Sequence, residues 1–240
     1  MKVLPAIVLA VSLSSVTTLG QESNVIQTPA GTQPNVLFIA IDDLRPELGC
    51  YGSKIAKSPH IDRLAETGVT FLNAYCQQAV CNPSRASLMT GLRPDTIKVW
   101  DLQTNFRTAR PQTVTLTQQF MRSGYHAVGI GKIFHNNIQD PASWSEPKLN
   151  IADYPFDPDA VYRGSDSIAW IEDRKADLIA KGDTRRIDRF GKWYLKHVAT
   201  EQLDIEDDAY FDGAQTSVAI DKLGELAQQK KPFFLAVGYY

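Results

Sequence analysis

Apolar residues recur along this chain in two rhythms. Val36 to Ile41 reads Val-Leu-Phe-Ile-Ala-Ile without a polar break, and Phe233 to Val237 repeats the pattern as Phe-Phe-Leu-Ala-Val. Uninterrupted apolar runs of this length suit strands buried on both faces, as in parallel sheets. Further strands are expected over Val69 to Tyr75, leading towards Cys81, and around His126 to Ile130. Elsewhere the spacing is helical. Ser58 to Gly68 reads as a complete helix: Ser58 can cap it, Pro59 fits its first turn, and Gly68 can end it. Ile61, Leu64 and Ala65 fall on one face of that helix. Another helix is expected from about Leu116 to Ser123, stopped by Gly124. A third, beyond Asp212, carries Ala219, Ile220, Leu223, Leu226 and Ala227 until Lys230-Lys231-Pro232 breaks it. From Gln139 to Asp208 the periodicity fails. That stretch, rich in Pro, Asp, Trp and Tyr, reads as an irregular excursion carrying short helices, and its alternating charges from Glu172 to Arg189 read as a solvated helix face.

The N-terminus changes the picture. Lys2 precedes an apolar core from Val3 to Leu13, and Thr18-Leu19-Gly20 offers small residues before Gln21. That core is shorter than the roughly 20 residues a membrane span needs, and five Ser and Thr residues from Ser12 to Thr18 weaken it further. Residues 1–20 are therefore expected to be a signal peptide, not a stable membrane anchor, exporting the protein to a periplasmic or extracellular space. Residues 21–34 read as a linker, and 35–240 as the folded part, large enough for one domain or two small ones. Composition is ordinary for a globular protein, with 43% hydrophobic and 22% charged residues. A net charge of -2 gives no reason to expect nucleic acid as a partner. An anionic substrate would need a local basic pocket.

Candidate chemistry gathers at three places. Asp42 and Asp43 follow the first apolar run, at the strand end where open α/β sheets place their ligands. Paired carboxylates suit Ca²⁺ or Mg²⁺, although such a pair also serves as a turn or a helix cap. Residues 81 to 91 read Cys-Asn-Pro-Ser-Arg-Ala-Ser-Leu-Met-Thr-Gly. A lone cysteine is commonly a small buried hydrophobe, but Cys81 lies just ahead of the helix that Pro83 would begin. A helix N-terminus binds oxyanions through its free N–H groups and its dipole. Third, Lys132 and His135 follow a strand in Gly131-Lys132-Ile133-Phe134-His135. This is no phosphate-binding P-loop, since the leading Gly is His126 and the closing Ser or Thr is Ile133. His60 follows the helix start as a structural or surface residue, His126 and His197 have no evident partner, and all three stay outside the candidate site.

The run from Cys81 to Gly91 resembles the C-x-P-S-R-x-x-x-x-T-G signature of the type I sulfatases, with every fixed position filled. The stretch Asn35 to Gly52, with Asp42-Asp43-Leu44-Arg45-Pro46 and Gly49-Cys50-Tyr51-Gly52, resembles the iduronate-2-sulfatase-like subgroup. Gln77 to Val80, Arg93 to Thr96, Gly131 to His135, Ser143 to Ser145 and Phe233 to Tyr239 extend that likeness, which is patchy between about 135 and 210.

The resemblance implies an alkaline phosphatase-like α/β sandwich with a mostly parallel central sheet. It implies that a formylglycine-generating enzyme oxidises Cys81 to formylglycine, and that Asp42, Asp43 and the modified Cys81 ligate calcium, with magnesium as the other possible ion. Arg85 would steady the formylglycine hydrate, Lys132 and His135 would contact sulfate and the formylglycine region, and a sulfated carbohydrate would be the substrate. Cys50 and Cys76 would then either pair in an oxidising compartment or remain free thiols. Relatives in this family are usually longer and supply further metal and sulfate ligands from a C-terminal half. The expectation is therefore an N-terminal part of a sulfatase, inactive alone. Two other readings remain open: a phosphonate or phosphate ester hydrolase of the same superfamily, and a glycan-binding remnant without turnover.

Overall fold

The computed structural model describes residues 33–149, 163–183 and 201–240. Its centre is a parallel sheet of three described strands, β1 (Val36–Ile41), β2 (His126–Gly131) and β3 (Phe233–Tyr239), in the spatial order β1-β3-β2. Val36 pairs with Phe234 and Ile41 with Tyr239, while His126 pairs with Phe233 and Gly131 with Gly238. The last strand in sequence is thus flanked on both sides, which is why its apolar run is unbroken.

Helices cover the sheet and set the site. They are α1 (Pro59–Thr67), α2 (Cys81–Thr90), α3 (Pro94–Ile97), α4 (Phe106–Ala109), α5 (Leu116–Arg122), α6 (Ser165–Ala180) and α7 (Phe211–Ala227). One core joins Phe234 and Ala236 of β3 to Ala86 and Met89 of α2, Phe106 of α4, and Phe134. Phe120 of α5 packs its ring 4.5 Å from that of Phe234. The opposite face packs Val128, Ile130, Phe233, Leu235 and Val237 against Ala219 and Leu226 of α7. Helix α5 starts at a full capping box, in which Thr115 and Gln118 satisfy each other's backbone N–H groups.

Four expectations change. Val69 to Tyr75 forms no strand: it runs through turns, with Phe71 and Tyr75 exposed by 71% and 84%. A strand needs a ladder partner and a face to cover, and the described residues offer this run neither. Helix α2 begins at Cys81 itself, with Pro83 inside the first turn, where the backbone N–H has no intrahelical partner to lose. Ser58 precedes α1 without capping it: its hydroxyl donates to Asp62 Oδ1 at 2.9 Å and accepts from the Gly49 amide at 2.9 Å. Within the excursion expected to be irregular, α6 is a 16-residue helix. Only Ile171 and Leu178 of that helix are buried, so apolar periodicity could not reveal it. Its exposed side carries the ion pairs Lys175–Glu172, Arg174–Asp177 and Lys181–Asp177, the solvated charged face read from the sequence. The expected signal peptide, most of the linker and His197 lie outside the described residues.

Candidate active site

The C-terminal ends of the three strands deliver the site. The β1–β3 ladder continues one residue beyond β1, with the Asp42 amide donating to the Tyr239 carbonyl at 3.2 Å. This fixes the Asp42 side chain. Arg85, on α2, donates from Nη2 to Asp42 Oδ1 at 2.8 Å, and the Lys132 ammonium pairs with Asp42 Oδ2. Cys81 Sγ lies 3.7 Å from the same Oδ2. Burial alone would raise the Asp42 pKa, but the hydrogen bonds and charges of Lys132 and Arg85 outweigh it and hold the carboxyl below its usual range. Asp42 is therefore ionised at neutral pH.

Lys132 is placed by backbone geometry. Gly131 ends β2 with φ +68°, and the Lys132 amide donates to the Gly238 carbonyl at 2.7 Å. The strands approach so closely that a Cβ on Gly238 would stand 2.0 Å from the Lys132 carbonyl oxygen. That carbonyl accepts from Arg85 Nη1, as does the Ile133 carbonyl at 3.1 Å. One guanidinium thus ties α2 to Asp42 and to the turn after β2. The Lys132 ammonium also sits 5.1 Å over the Tyr240 ring. His135 follows on the same turn. Burial first, then the positive charges of Lys132 and Arg85, push its pKa down, so its imidazole is neutral at pH 7. Its Nδ1 is buried with no hydrogen-bond partner among the described residues.

Asp42, Cys81, Arg85 and Lys132 therefore converge, and the charge on His135 responds to three of them. Asp43 occupies the same turn, exposed and at φ +51°, with its side chain outside the ion-pair cluster. The excluded histidines lie in other pairings: His126 meets Glu146 at 3.2 Å and His60 meets Arg63 at 3.4 Å. Sequence reasoning missed Gln215. Fully buried on α7, it donates from Nε2 to the same Gly238 carbonyl at 3.0 Å. Its visible signal was a polar residue on an otherwise small and apolar helix face, beside Ala214 and Ala219.

The chemistry of the donors decides which cation they suit. Asp42 and Asp43 offer hard carboxylate oxygens, right in kind for calcium or magnesium. They fall short in number, since no group of three His, Cys, Asp or Glu side chains able to hold a metal occurs among the described residues. The cluster otherwise contains two cations against the Asp42 carboxylate, at the first turn of a 10-residue helix. Such a site attracts an oxyanion.

A parallel sheet with this charged cluster at the C-terminal ends of its strands defines an α/β protein. Residues 34–240 match the sulfatase family, and the chain belongs to it. It is 36% identical over 239 residues to iduronate 2-sulfatase of Homo sapiens, covering 97% of this chain and 39% of that protein. It thus spans about two-fifths of that relative's length. Among solved structures, PsFucS1 sulfatase from Pseudoalteromonas sp. superposes with a TM-score of 0.57 at 21% identity, covering 87% of this chain and 44% of the other. The phosphonate monoester hydrolase of Agrobacterium radiobacter superposes with a TM-score of 0.52 at 20% identity, covering 86% and 40%. At such identities the likeness establishes the alkaline phosphatase-like fold, with sulfatases among its neighbours.

Proposed function

We propose that this chain carries the nucleophile and part of the sulfate pocket of an exported sulfuric ester hydrolase acting on a sulfated sugar. The observation that carries the reading is the convergence of Cys81, Arg85 and Lys132 on Asp42. Iduronate 2-sulfatase as a relative over nearly the whole chain favours a 2-O-sulfated uronate, in a glycosaminoglycan or an algal polysaccharide. A formylglycine-generating enzyme would oxidise Cys81 to an aldehyde. Its hydrate would supply the nucleophilic oxygen at sulfur as the sugar hydroxyl departs, and a second hydroxyl for release of sulfate. Asp42, Asp43 and that hydrate would hold a calcium or magnesium ion, which polarises oxygens and stabilises negative charge.

The chain's own residues do the rest. Lys132 and Arg85 have side chains almost wholly buried, so their charges act through little water and bind sulfate oxygens strongly. Neutral His135 can accept a proton and return it to the departing oxygen. A phosphonate ester has the same tetrahedral anionic shape, and the fold accommodates hydrolases of both kinds.

The test pairs two measurements on protein co-expressed with a formylglycine-generating enzyme. Tryptic mass spectrometry should show the Cys81 peptide lighter by about 18 Da, the thiol-to-aldehyde change. Measured on the full protein, turnover of a 2-O-sulfated uronate disaccharide should exceed that of the matched phosphate ester, and Cys81→Ala should abolish both. Modified Cys81 with sugar binding but no turnover would leave a glycan-binding remnant. An unmodified Cys81 with no turnover removes the nucleophile on which the reading depends.

A further inference from the structure

The loop that follows α3 is bolted to the segment bearing Cys81 on both sides of that residue. Gln78 Nε2 donates to the Trp100 carbonyl at 3.0 Å. Asn82, only 3% exposed, spends both hydrogens of its amide on the loop, donating to the carbonyls of Asp101 at 2.8 Å and Thr104 at 2.9 Å. Asp101 stiffens the loop from within, accepting from the amides of Gln103 and Thr104 and from the Thr104 hydroxyl. Underneath, Ile97 and Val99 are fully buried.

Two side chains on this rigid base are left facing solvent. Trp100 is 50% exposed, and its orientation is set by its Nε1 donating to Asp95 Oδ1 at 2.9 Å. Lys98 takes the left-handed conformation, at φ +56°, and brings its ammonium to 5.6 Å from the indole centroid. A non-glycine residue at positive φ is costly and persists only where its surroundings enforce it. Here the result is a large, pre-oriented aromatic face paired with a cation, on a loop hydrogen-bonded to residues on both sides of Cys81.

We propose that Lys98 and Trp100 form a sugar subsite of this site, for a pyranose ring that bears an acidic group. The apolar C–H face of the ring stacks on the indole, and the carboxylate or sulfate of the sugar meets the Lys98 ammonium. The indole supplies most of the buried area at little entropic cost, because its ring is already held. Lys98 adds selection for charge, since a neutral sugar would leave the ammonium unpaired. The subsite rests on the sulfatase reading for its substrate class, and its geometry stands independently of that reading.

The test uses the full, formylglycine-bearing protein with two substrates, a sulfated disaccharide containing a uronate and the small aryl ester 4-nitrocatechol sulfate. Trp100→Ala and Lys98→Ala should each lower kcat/KM for the disaccharide by about tenfold more than for the aryl ester, with the loss carried mainly by KM. Trp100→Phe, which keeps a ring, should recover much of the selectivity. Equal losses on both substrates, or none, would overturn the subsite. If the unaltered protein turns over neither ester, the sulfatase reading fails by itself. Calorimetric binding of the desulfated uronate disaccharide then tests the subsite: binding removed by Trp100→Ala sustains it, and binding unaffected by that change or absent from the outset ends it.

Discussion

A single carboxylate organises the chemistry. Asp42 is the counter-charge for two almost wholly buried cations, so Asp42→Asn leaves Arg85 and Lys132 without their anion. Removing one partner of a buried ion pair costs about 3 kcal/mol or more. Urea unfolding at pH 7 should register a loss of that size, alongside loss of any sulfate ester turnover. Gly131 is a second sensitive residue, for steric reasons. A Cβ there would meet Gln215 Oε1 at 2.1 Å and the Gly238 carbonyl at 2.3 Å, on a backbone already at φ +68°. Gly131→Ala should therefore destabilise by more than about 1 kcal/mol, measurable by the same unfolding curve. Cys81 and Arg85 were legible in the sequence because one helical turn holds both at fixed spacing. Gln215 showed only as a polar residue among small ones, because its partner, the Gly238 carbonyl, belongs to another element and carries no side-chain signature.

Helix α6 shows what an element can owe to a residue far along the chain. Glu201 accepts from the amides of Gly164 and Arg163 at 2.8 Å and 3.0 Å, so a distant carboxylate caps the N-terminus of α6. Burial would raise its pKa, but the Tyr210 and Ser167 hydroxyls and those two amides pull it from 4.5 to about 2. A depressed carboxylate stabilises the fold fully above its unfolded pKa, and the stabilisation is lost as pH falls towards the folded value. Between pH 4.5 and 2 the protein should lose stability that Glu201→Gln never has, so urea midpoints of the two proteins should converge across that window. This cap explains why α6 was hidden in sequence, whereas β1, β3 and α5 announced themselves by unbroken apolar runs or a local capping box. Val69 to Tyr75 carried a strand-like composition, but composition supplies no ladder partner.

At the scale of the molecule, spatial order departs from chain order. Among the described strands β3 lies between β1 and β2 and pairs with both. A version of the protein ending at Gln229 should therefore lack a cooperative unfolding transition, although α2 and α5 keep their local signals; circular dichroism under urea would detect this. Leu37, Ile39 and Ile41 remain exposed on one face of β1 even with β3 in place, so the sheet has least protection before β3 arrives. The same order governs the molecule's birth on the ribosome. Val36 must wait for Phe234, nearly the whole chain later, and at translation rates of roughly 5–20 residues per second that delay is on the order of 10–40 seconds. Throughout it an apolar ribbon and the Cys81 segment travel without the strand that will fold them together. A chain with this strand order should gain from any factor that shields its exposed β1 until β3 emerges.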